Sequence, residues 1–543
     1  MSYESIAGET PNVYRPVDEF IQNNFENPCF CELTDAAKEK DEKPKEIIVV
    51  ANRGGIAWEI IREARAMGKQ VIMMQDSEDM PWQDVLDRYD ENFENPDKIF
   101  TFQNCFSKKR SDDQLSTAMI ALLELRKKMA ADGIDLRTVA IHPGYGFWSE
   151  DAAHIAFARR LGFSFVGPDE DCVFHLDKIE AKRFAGDAGF AIPKSSPEIT
   201  SVDEAMKFFD ENSANIEIFL FKAAEDGGGR GQKKVSNKNR NLFKEEVEAF
   251  KKDHNKFSVD QFIENNLHIE FQFLSDKDGN LRFMGARNCT MQRDHQKYIE
   301  ETADLDPKTI DKIVQQTSEM MQLIKARTWK NYEGAFTLET LYSLQDKEFY
   351  FLEVNRRMQV EHPVTTHEGN ANLIRGMLQI CDGKKLKPQE EIDGMKPKGP
   401  RCVMEARICA EDVITDPAYR KFANGHRNFC PSSGTITGWD VPKGEDVFVY
   451  TDPRITRGAH ISGLYDPMIA QVVVTADSRG EAIMKLEKAV REFKIEGVVT
   501  NQRMILQALE NEDFRKGGEH VANAAVEMER NYVNERVAQV VGL

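Results

Sequence analysis

The sequence predicts a multidomain protein of mixed α/β and α+β class. A doubly wound parallel-sheet domain comes first, a mixed domain with a mobile glycine-rich lid follows, and a second mixed strand–helix domain comes last. Three observations predict this. The chain has 543 residues, more than one hydrophobic core organises, so about three or four domains are expected. A β-branched run at Ile47–Val50 breaks into a Gly54-Gly55 turn, a helical pattern from Ile56 to Met67 and a second apolar run, Lys69–Met74. That is a β-α-β unit and implies a parallel sheet. Beyond residue 258 strand and helix patterns alternate, with the strongest strand signals at His268–Asp276, Leu281–Ala286 and Glu348–Asn355.

The elements follow in order. Residues 1–45 are polar and end in the charge-dense AKEKDEKPK, which reads as a solvated extension rather than a domain. Residues 46–170 form the parallel domain: a further strand from Thr138 ends in the loop Gly144-Tyr145-Gly146, and a helix leads to a strand at 163–168. Residues 171–390 form the second domain. It opens with helix around 169–190, carries a lid over about 194–258 in which two short strands flank a glycine-rich turn, and continues in alternating strands and helices. A Pro/Lys/Gly-rich linker at Lys387–Arg401 introduces the third domain, 391–518, with an amphipathic helix near 480–494. Residues 519–543 read as a polar helical tail.

Composition narrows the function. The formal net charge is −19, a surface that repels nucleic-acid phosphates and anionic lipid heads. An acidic protein that takes an anionic substrate must gather its positive charge in one cleft, and basic residues do cluster between Arg287 and Arg407. The nine cysteines include no CxxC pair, which predicts free thiols in a reducing cytoplasm; Cys29 and Cys31 form a lone CxC. The N-terminal residues have neither a basic stretch nor an apolar core, so no signal peptide is expected, and no apolar run reaches the roughly 18 residues of a membrane span.

Four segments carry candidate chemistry. In EVNRRMQVEHP (Glu353–Pro363), Glu353, Asn355, Arg357, Gln359 and Glu361 alternate, so a continuous strand sets all five on one face. An acid–amide pair at i, i+2 suits a hard cation, and Glu339 in the preceding FTLETL is the natural second carboxylate. AAEDGGGRGQ (Ala223–Gln232), behind Lys222, lacks the P-loop spacing; alone it reads as a hairpin turn, and beside a metal clamp as a hairpin lid over phosphates. RNCTMQRDHQK gathers Arg287, Gln292, Arg293, His295 and Lys297, which beside that clamp reads as an oxyanion site. IHPGYGFWSED, with His142 at a strand end, is equally compatible with a structural turn.

Taken along the chain, the four segments resemble the biotin carboxylase family, the ATP-grasp subunits of acyl-CoA and pyruvate carboxylases. The likeness runs from about Ile47 to Gly518. ANRGGIA stands for the family's ANRGEIA, HPGYGFWSE for HPGYGFLSE, MQRDHQK for MQRRHQK and EVNRRMQVEHPVT for EMNTRIQVEHPVT, and YDPMIA recurs at Tyr465–Ala470. The resemblance implies an ATP-grasp second domain and, residue by residue, the following expected roles. Lys178 and Lys222 contact ATP phosphates, and Gly227, Gly228, Gly229 and Gly231 form the lid turn. Asp260, Gln261 and Ile263 lie at the adenine hinge, and His268, Gln292 and His295 line the nucleotide site. Glu339, Glu353 and Asn355 hold Mg²⁺ (or Mn²⁺). Lys297, Arg357, Gln359 and Val360 bind bicarbonate, Glu361 is the general base, and Arg407 stabilises the biotin enolate.

The resemblance also implies a ligase that forms ADP. The chain lacks an AMKM-type biotin attachment motif and no acyl-transfer domain follows residue 518. So the biotin carboxyl carrier protein and the carboxyltransferase are expected as separate chains, with this one a homodimer or part of a larger complex. The chain departs from the family at Glu225 and Asp226 in the lid, at Asp260-Gln261, and at Gly55, Asp294 and Thr366. Two other readings stay open here: another ATP-grasp ligase that uses an acyl phosphate, or a catalytically silent scaffold of a carboxylase complex.

Overall fold

The computed structural model describes residues 44–81, 96–107, 115–223, 232–369, 371–395, 401–415 and 428–541. Strands β1 (Ile47–Val50), β2 (Gln70–Asp76), β3 (Lys98–Phe102), β4 (Val139–His142) and β5 (Ser164–Phe165) form one sheet in the order β3-β2-β1-β4-β5. Every pairing in it is parallel. The strands read as unbroken apolar runs because both faces are covered. Alternation divides β1 between two cores: Ile47 and Val49 pack toward helices Thr117–Ala131 and Ala152–Arg160, Ile48 and Val50 toward helix Gly54–Ala66. The order reverses between β1 and β4, so a crevice opens at their carboxyl ends. There Asn52 Nδ2 donates to the carbonyls of Pro143 (2.6 Å) and Tyr145 (2.8 Å), anchoring the Gly144-Tyr145-Gly146 loop. Gly144 has φ +63°, and a Cβ on it would stand 2.7 Å from Asn52 Nδ2; both facts require glycine.

The lid is a separate small layer. Strands β6 (Ile218–Ala223), β7 (Gln232–Ser236) and β8 (Phe257–Gln261) pair antiparallel in the order β7-β6-β8. Helices Val202–Asn212 and Arg240–Asp253 cover them through a core that includes Phe209, Phe219, Phe221, Phe243, Phe250 and Phe257. The residues between β6 and β7, among them Glu225, Asp226, Gly227, Gly228, Gly229 and Gly231, lie outside the described ones.

The largest layer is an eight-stranded antiparallel sheet. It contains β9 (Asn266–Ser275), β10 (Leu281–Arg293), β11 (Gln296–Thr302), β12 (Gly334–Ser343), β13 (Phe349–Asn355) and β14 (Cys402–Cys409) in the order β13-β12-β9-β10-β11-β14. Strands Met468–Ala476 and Val447–Thr451 then follow. The sheet and the core behind it run without a break past residue 390. The terminal helix His520–Val541 buries Val521, Ala524, Met528 and Tyr532 in that same core. Cys105, Cys172, Cys289, Cys381, Cys402, Cys409 and Cys430 are free thiols; Cys29 and Cys31 lie outside the described residues. Among the described residues no helix is long and apolar enough to cross a membrane.

Two local expectations are corrected. The strand through Glu353 ends at Asn355, a bend follows at Arg356-Arg357, and helix His362–Gly369 begins just after Glu361. Strand alternation therefore places Glu353 and Asn355 but not Arg357, Gln359 and Glu361. The basic run Arg287–Lys297 is a hairpin, with Asp294 (φ +43°) and His295 (φ +60°) as its turn. Two register irregularities in β10 before Arg293 break its alternation. Arg293 pairs with Glu411 at 2.5 Å, and fully buried Arg287 is spent on internal bonds.

Candidate active site

The middle of the large sheet carries a buried polar network where an apolar core would otherwise lie. Its centre is Lys297 on β11, whose ammonium contacts Glu270 on β9, Glu339 Oε1 on β12 (3.2 Å) and Glu361 Oε1 (2.6 Å). Burial alone would lower the Lys297 pKa, but the three carboxylates hold it well above its usual value. Glu361 is engaged on both oxygens, since Arg407 Nη2 on β14 lies 2.8 Å from Oε2. Burial would raise its carboxyl; Lys297, Arg407 and Arg287 outweigh this and keep it below the usual range, hence ionised.

Arg287 fixes the arrangement from beneath. It donates to Gln272 Oε1 (3.0 Å), Thr365 Oγ1 (2.7 Å), Glu270 Oε2 (3.1 Å) and Gln359 Oε1 (2.9 Å). Gln359 in turn donates to Glu339 Oε1 at 2.7 Å. The irregular segment after β13 is thus tied to the sheet, which is how Gln359 and Glu361 reach the site without being on a strand. The Val360 carbonyl accepts from Gln471 Nε2 at 2.8 Å.

Glu339 and Glu353 face each other as cross-strand partners on β12 and β13, so their side chains share a face. Asn355 Nδ2 donates to Glu339 Oε1 at 2.6 Å. Glu339 also meets His268 Nε2 at 2.9 Å, and His268 Nδ1 lies 2.8 Å from Gln292 Nε2. Burial would depress His268, but Glu339 and Glu270 push it up to about 9. Glu353 is less well neutralised: burial and then Glu339 raise its carboxyl, and Lys178 Nζ stands 3.5 Å away. Two opposed carboxylates and an amide oxygen, one carboxylate short of positive charge, fit a hard divalent cation.

A cavity of about 180 Å³ adjoins this pair, lined by Glu150, Lys178, Glu353, Asn355 and Arg356 over Leu176 and Ala181. Lys178 opens helix Lys178–Asp187, which Asp177 caps. From the same helix Lys182 reaches Asp260 on β8 (3.7 Å), which Lys222 on β6 also contacts (2.6 Å). Burial and then Lys222 and Lys178 hold the Lys182 pKa down, against Asp260. Gln261 binds the backbone of Lys194 and Ile263 is buried. His295 sits at the hairpin tip near Lys234, and burial with that charge lowers its pKa. Arg357 Nε is held by Glu150 Oε2 at 2.7 Å, and Arg356 N donates to Glu150 Oε1 at 2.8 Å.

Sequence reasoning passed over Glu150, Lys182, Glu270, Glu300 and Glu405. For Glu270 a signal existed: His268, Glu270 and Gln272 alternate through an otherwise apolar strand.

Three family models match in succession: "Biotin carboxylase, N-terminal domain" over 124–173, "Carbamoyl-phosphate synthase L chain, ATP binding domain" over 177–389, and "Biotin carboxylase C-terminal domain" over 405–524. Biotin carboxylase 1 of Bacillus subtilis is 31% identical, covering 87% of this chain and 96% of that protein. The methylcrotonoyl-CoA carboxylase alpha subunit of Rattus norvegicus is 29% identical over 87% of the chain, which spans 61% of that longer protein. Among solved structures, a biotin carboxylase–β-γ-ATP complex from Campylobacter jejuni is 29% identical, with TM-score 0.70 over 87% of this chain and 96% of that one. The biotin carboxylase domain dimer of Hydrogenobacter thermophilus 2-oxoglutarate carboxylase, with MgADP, ADP and bicarbonate, is 26% identical, with TM-score 0.69 over 87% and 95%. A likeness that spans nearly all of the stand-alone relative, on a fold shared across the whole site, leaves one conclusion: the chain belongs to the biotin carboxylase family.

Proposed function

We propose that this chain is the biotin carboxylase component of a multi-subunit biotin-dependent carboxylase. It carboxylates carrier-bound biotin with bicarbonate, cleaving ATP to ADP through carboxyphosphate. The observation that carries this reading is Glu361 held between Lys297 (2.6 Å) and Arg407 (2.8 Å), beside the opposed pair Glu339/Glu353.

Each residue has a task in this reading. Lys297, Arg357, Gln359 and the Val360 backbone orient bicarbonate, and Glu361 takes its proton, so that a carbonate oxygen attacks the γ-phosphorus of ATP. The bond to the leaving ADP oxygen breaks as the new P–O bond forms. Carboxyphosphate then separates into CO₂ and phosphate, the phosphate takes the ureido proton of biotin, and the biotin nitrogen attacks CO₂. Arg407 meets the charge that develops on the ureido oxygen. Lys178 and Lys222 contact phosphates, the glycines 227–229 and 231 close the lid, and Asp260, Gln261, Ile263, His268, Gln292 and His295 surround the nucleoside. Glu339, Glu353 and Asn355 would hold Mg²⁺ or Mn²⁺, which supplies charge neutralisation on the phosphate oxygens.

Carboxyphosphate is destroyed by water, so closure must precede chemistry; the lid layer, built on its own small core, suits that motion. A separate carrier and carboxyltransferase belong to this reading, supported by relatives that are stand-alone biotin carboxylases. A homodimer is supported by the dimeric neighbour, and a cytoplasmic location by the free thiols. The test is ATP cleavage by the purified chain. It should require bicarbonate and Mg²⁺ and rise with free biotin; cleavage indifferent to bicarbonate rejects the reading.

A further inference from the structure

Two buried carboxyl groups beside Arg407 have no task in the scheme above. Glu300 on β11 and Glu405 on β14 are direct cross-strand partners, and both are fully buried. Arg407 Nε lies 2.5 Å from Glu300 Oε1 while its Nη2 meets Glu361, so the guanidinium is clamped between two carboxyls. Glu405 Oε1 accepts from Gln471 Nε2 at 2.7 Å, the nitrogen that also donates to the Val360 carbonyl. Glu300 Oε2 and Glu405 Oε2 have no hydrogen-bond partner.

Charge counting shows what this requires. Glu300, Glu405 and Glu361 surround one guanidinium, and the next cation, Lys297, is already shared among Glu270, Glu339 and Glu361. Two buried carboxyls side by side do not both ionise against a single cation. Burial and then Glu361 raise the Glu300 carboxyl to about 7 against the pull of Arg407. Burial and then Glu300 hold Glu405 well above the usual range. The other titratable groups that face the pair or its guanidinium include Lys297 on the same strand, Cys289 on β10, Cys409 on β14, and Tyr145 and Tyr450, which themselves lie near Glu59, with Asp466 also near Tyr145.

We propose that Glu300 is a positioning residue for Arg407. Glu405 keeps the one proton the pair retains, and Glu300 holds the guanidinium to a single contact with Glu361. Without that pull Arg407 is free to turn both its nitrogens onto the already ionised Glu361 and leave the acceptor's oxygen unattended. The inference rests on the role assigned to Arg407 above. It makes the device sensitive to pH. As pH rises through the pair's titration the second carboxyl ionises, the pair draws Arg407 away, and carboxylation falls.

The test compares two isosteric variants of the full-length chain. In Glu405→Gln the amide N–H replaces the carboxyl O–H. Its biotin carboxylation should fall less than that of Glu300→Gln, and the alkaline decline of the wild type should disappear. In Glu300→Gln, kcat for biotin carboxylation should drop about tenfold or more, while biotin-independent ATP cleavage in bicarbonate and the KM for ATP stay within about threefold. Equal impairment of the two variants, an unaltered alkaline limb in Glu405→Gln, or a fully active Glu300→Gln overturns the proposal. Infrared spectra of the wild-type chain decide the matter even if Glu300→Gln does not fold. A neutral-carboxyl carbonyl band at pH 7 that Glu405→Gln abolishes supports the proton retained on Glu405, and no such band overturns it. Wild-type ATP cleavage indifferent to bicarbonate would instead reject the functional reading, and the band reports on the pair independently of that result.

Discussion

Replacing Glu361 by Gln removes the base with almost no change in volume. Its oxygens are engaged by Lys297 (2.6 Å) and Arg407 (2.8 Å). After the substitution Lys297 keeps Glu270 and Glu339, and Arg407 keeps Glu300. Neither cation is stranded, so the stability cost should stay near 1–3 kcal/mol, roughly that of a weakened buried charged hydrogen bond. Loss of a general base costs about 10²- to 10⁴-fold, or about 3–5 kcal/mol in the barrier. Turnover is read as ATP cleavage in saturating bicarbonate and biotin, and nucleotide binding by calorimetry on the same preparation. Turnover should fall by that factor, and the Kd for Mg²⁺-nucleotide should change by less than about threefold. The pH dependence has a definite sign. The folded Glu361 carboxyl lies below its usual 4.5, so its contribution is complete above that value and is lost only as pH falls through the depressed one. Equal loss of nucleotide binding and turnover, or a residual rate within about tenfold of wild type, refutes the assignment.

Three further predictions follow from other residues. Glu353→Gln should raise the Kd for Mg²⁺-ATP by about tenfold or more without lowering Tm, because it removes one of two opposed carboxylates; a lower Tm with unchanged nucleotide affinity contradicts this. Gly144→Ala should cost about 1–3 kcal/mol in thermal unfolding, since the Cβ would meet Asn52 Nδ2 at 2.7 Å with φ at +63°; an unchanged Tm counts against the anchoring role of Asn52. The double replacement of Glu225 and Asp226 by Gly tests the lid. At about 6 Å and an effective dielectric near 20, each like charge facing the triphosphate costs at most roughly 3 kcal/mol. The KM for ATP should therefore fall more than about tenfold if these carboxylates face phosphate, and an unchanged KM shows that they do not gate the lid.

The parallel domain was legible because its rule is local. A buried strand followed by a glycine turn and a helix of 3.6-residue period specifies both the element and its faces, and β1 divides its residues between two cores as that rule requires. The site was legible where spacing within one strand sufficed, as for Glu353 and Asn355. It became illegible where backbone geometry intervened. A bend after Asn355 carries Gln359 and Glu361 to the network through contacts with Arg287, Lys297 and Arg407 rather than by alternation. Two register irregularities send Arg293 away to Glu411. The pairs Glu339/Glu353 and Glu300/Glu405 depend on cross-strand register, which tertiary pairing sets and no window of sequence contains. For the same reason a Pro/Lys/Gly-rich stretch near residue 390 reads as a linker although the strands on either side of it join one sheet.

The central claim is that bicarbonate attacks ATP to give carboxyphosphate. It is tested most directly by incubating the chain with ATP, Mg²⁺, biotin and ¹⁸O-labelled bicarbonate and weighing the phosphate released. Attack by a carbonate oxygen on the γ-phosphorus leaves that oxygen on phosphorus when carboxyphosphate separates, so the account predicts one labelled oxygen in each phosphate. Phosphate that carries oxygen only from water would contradict it.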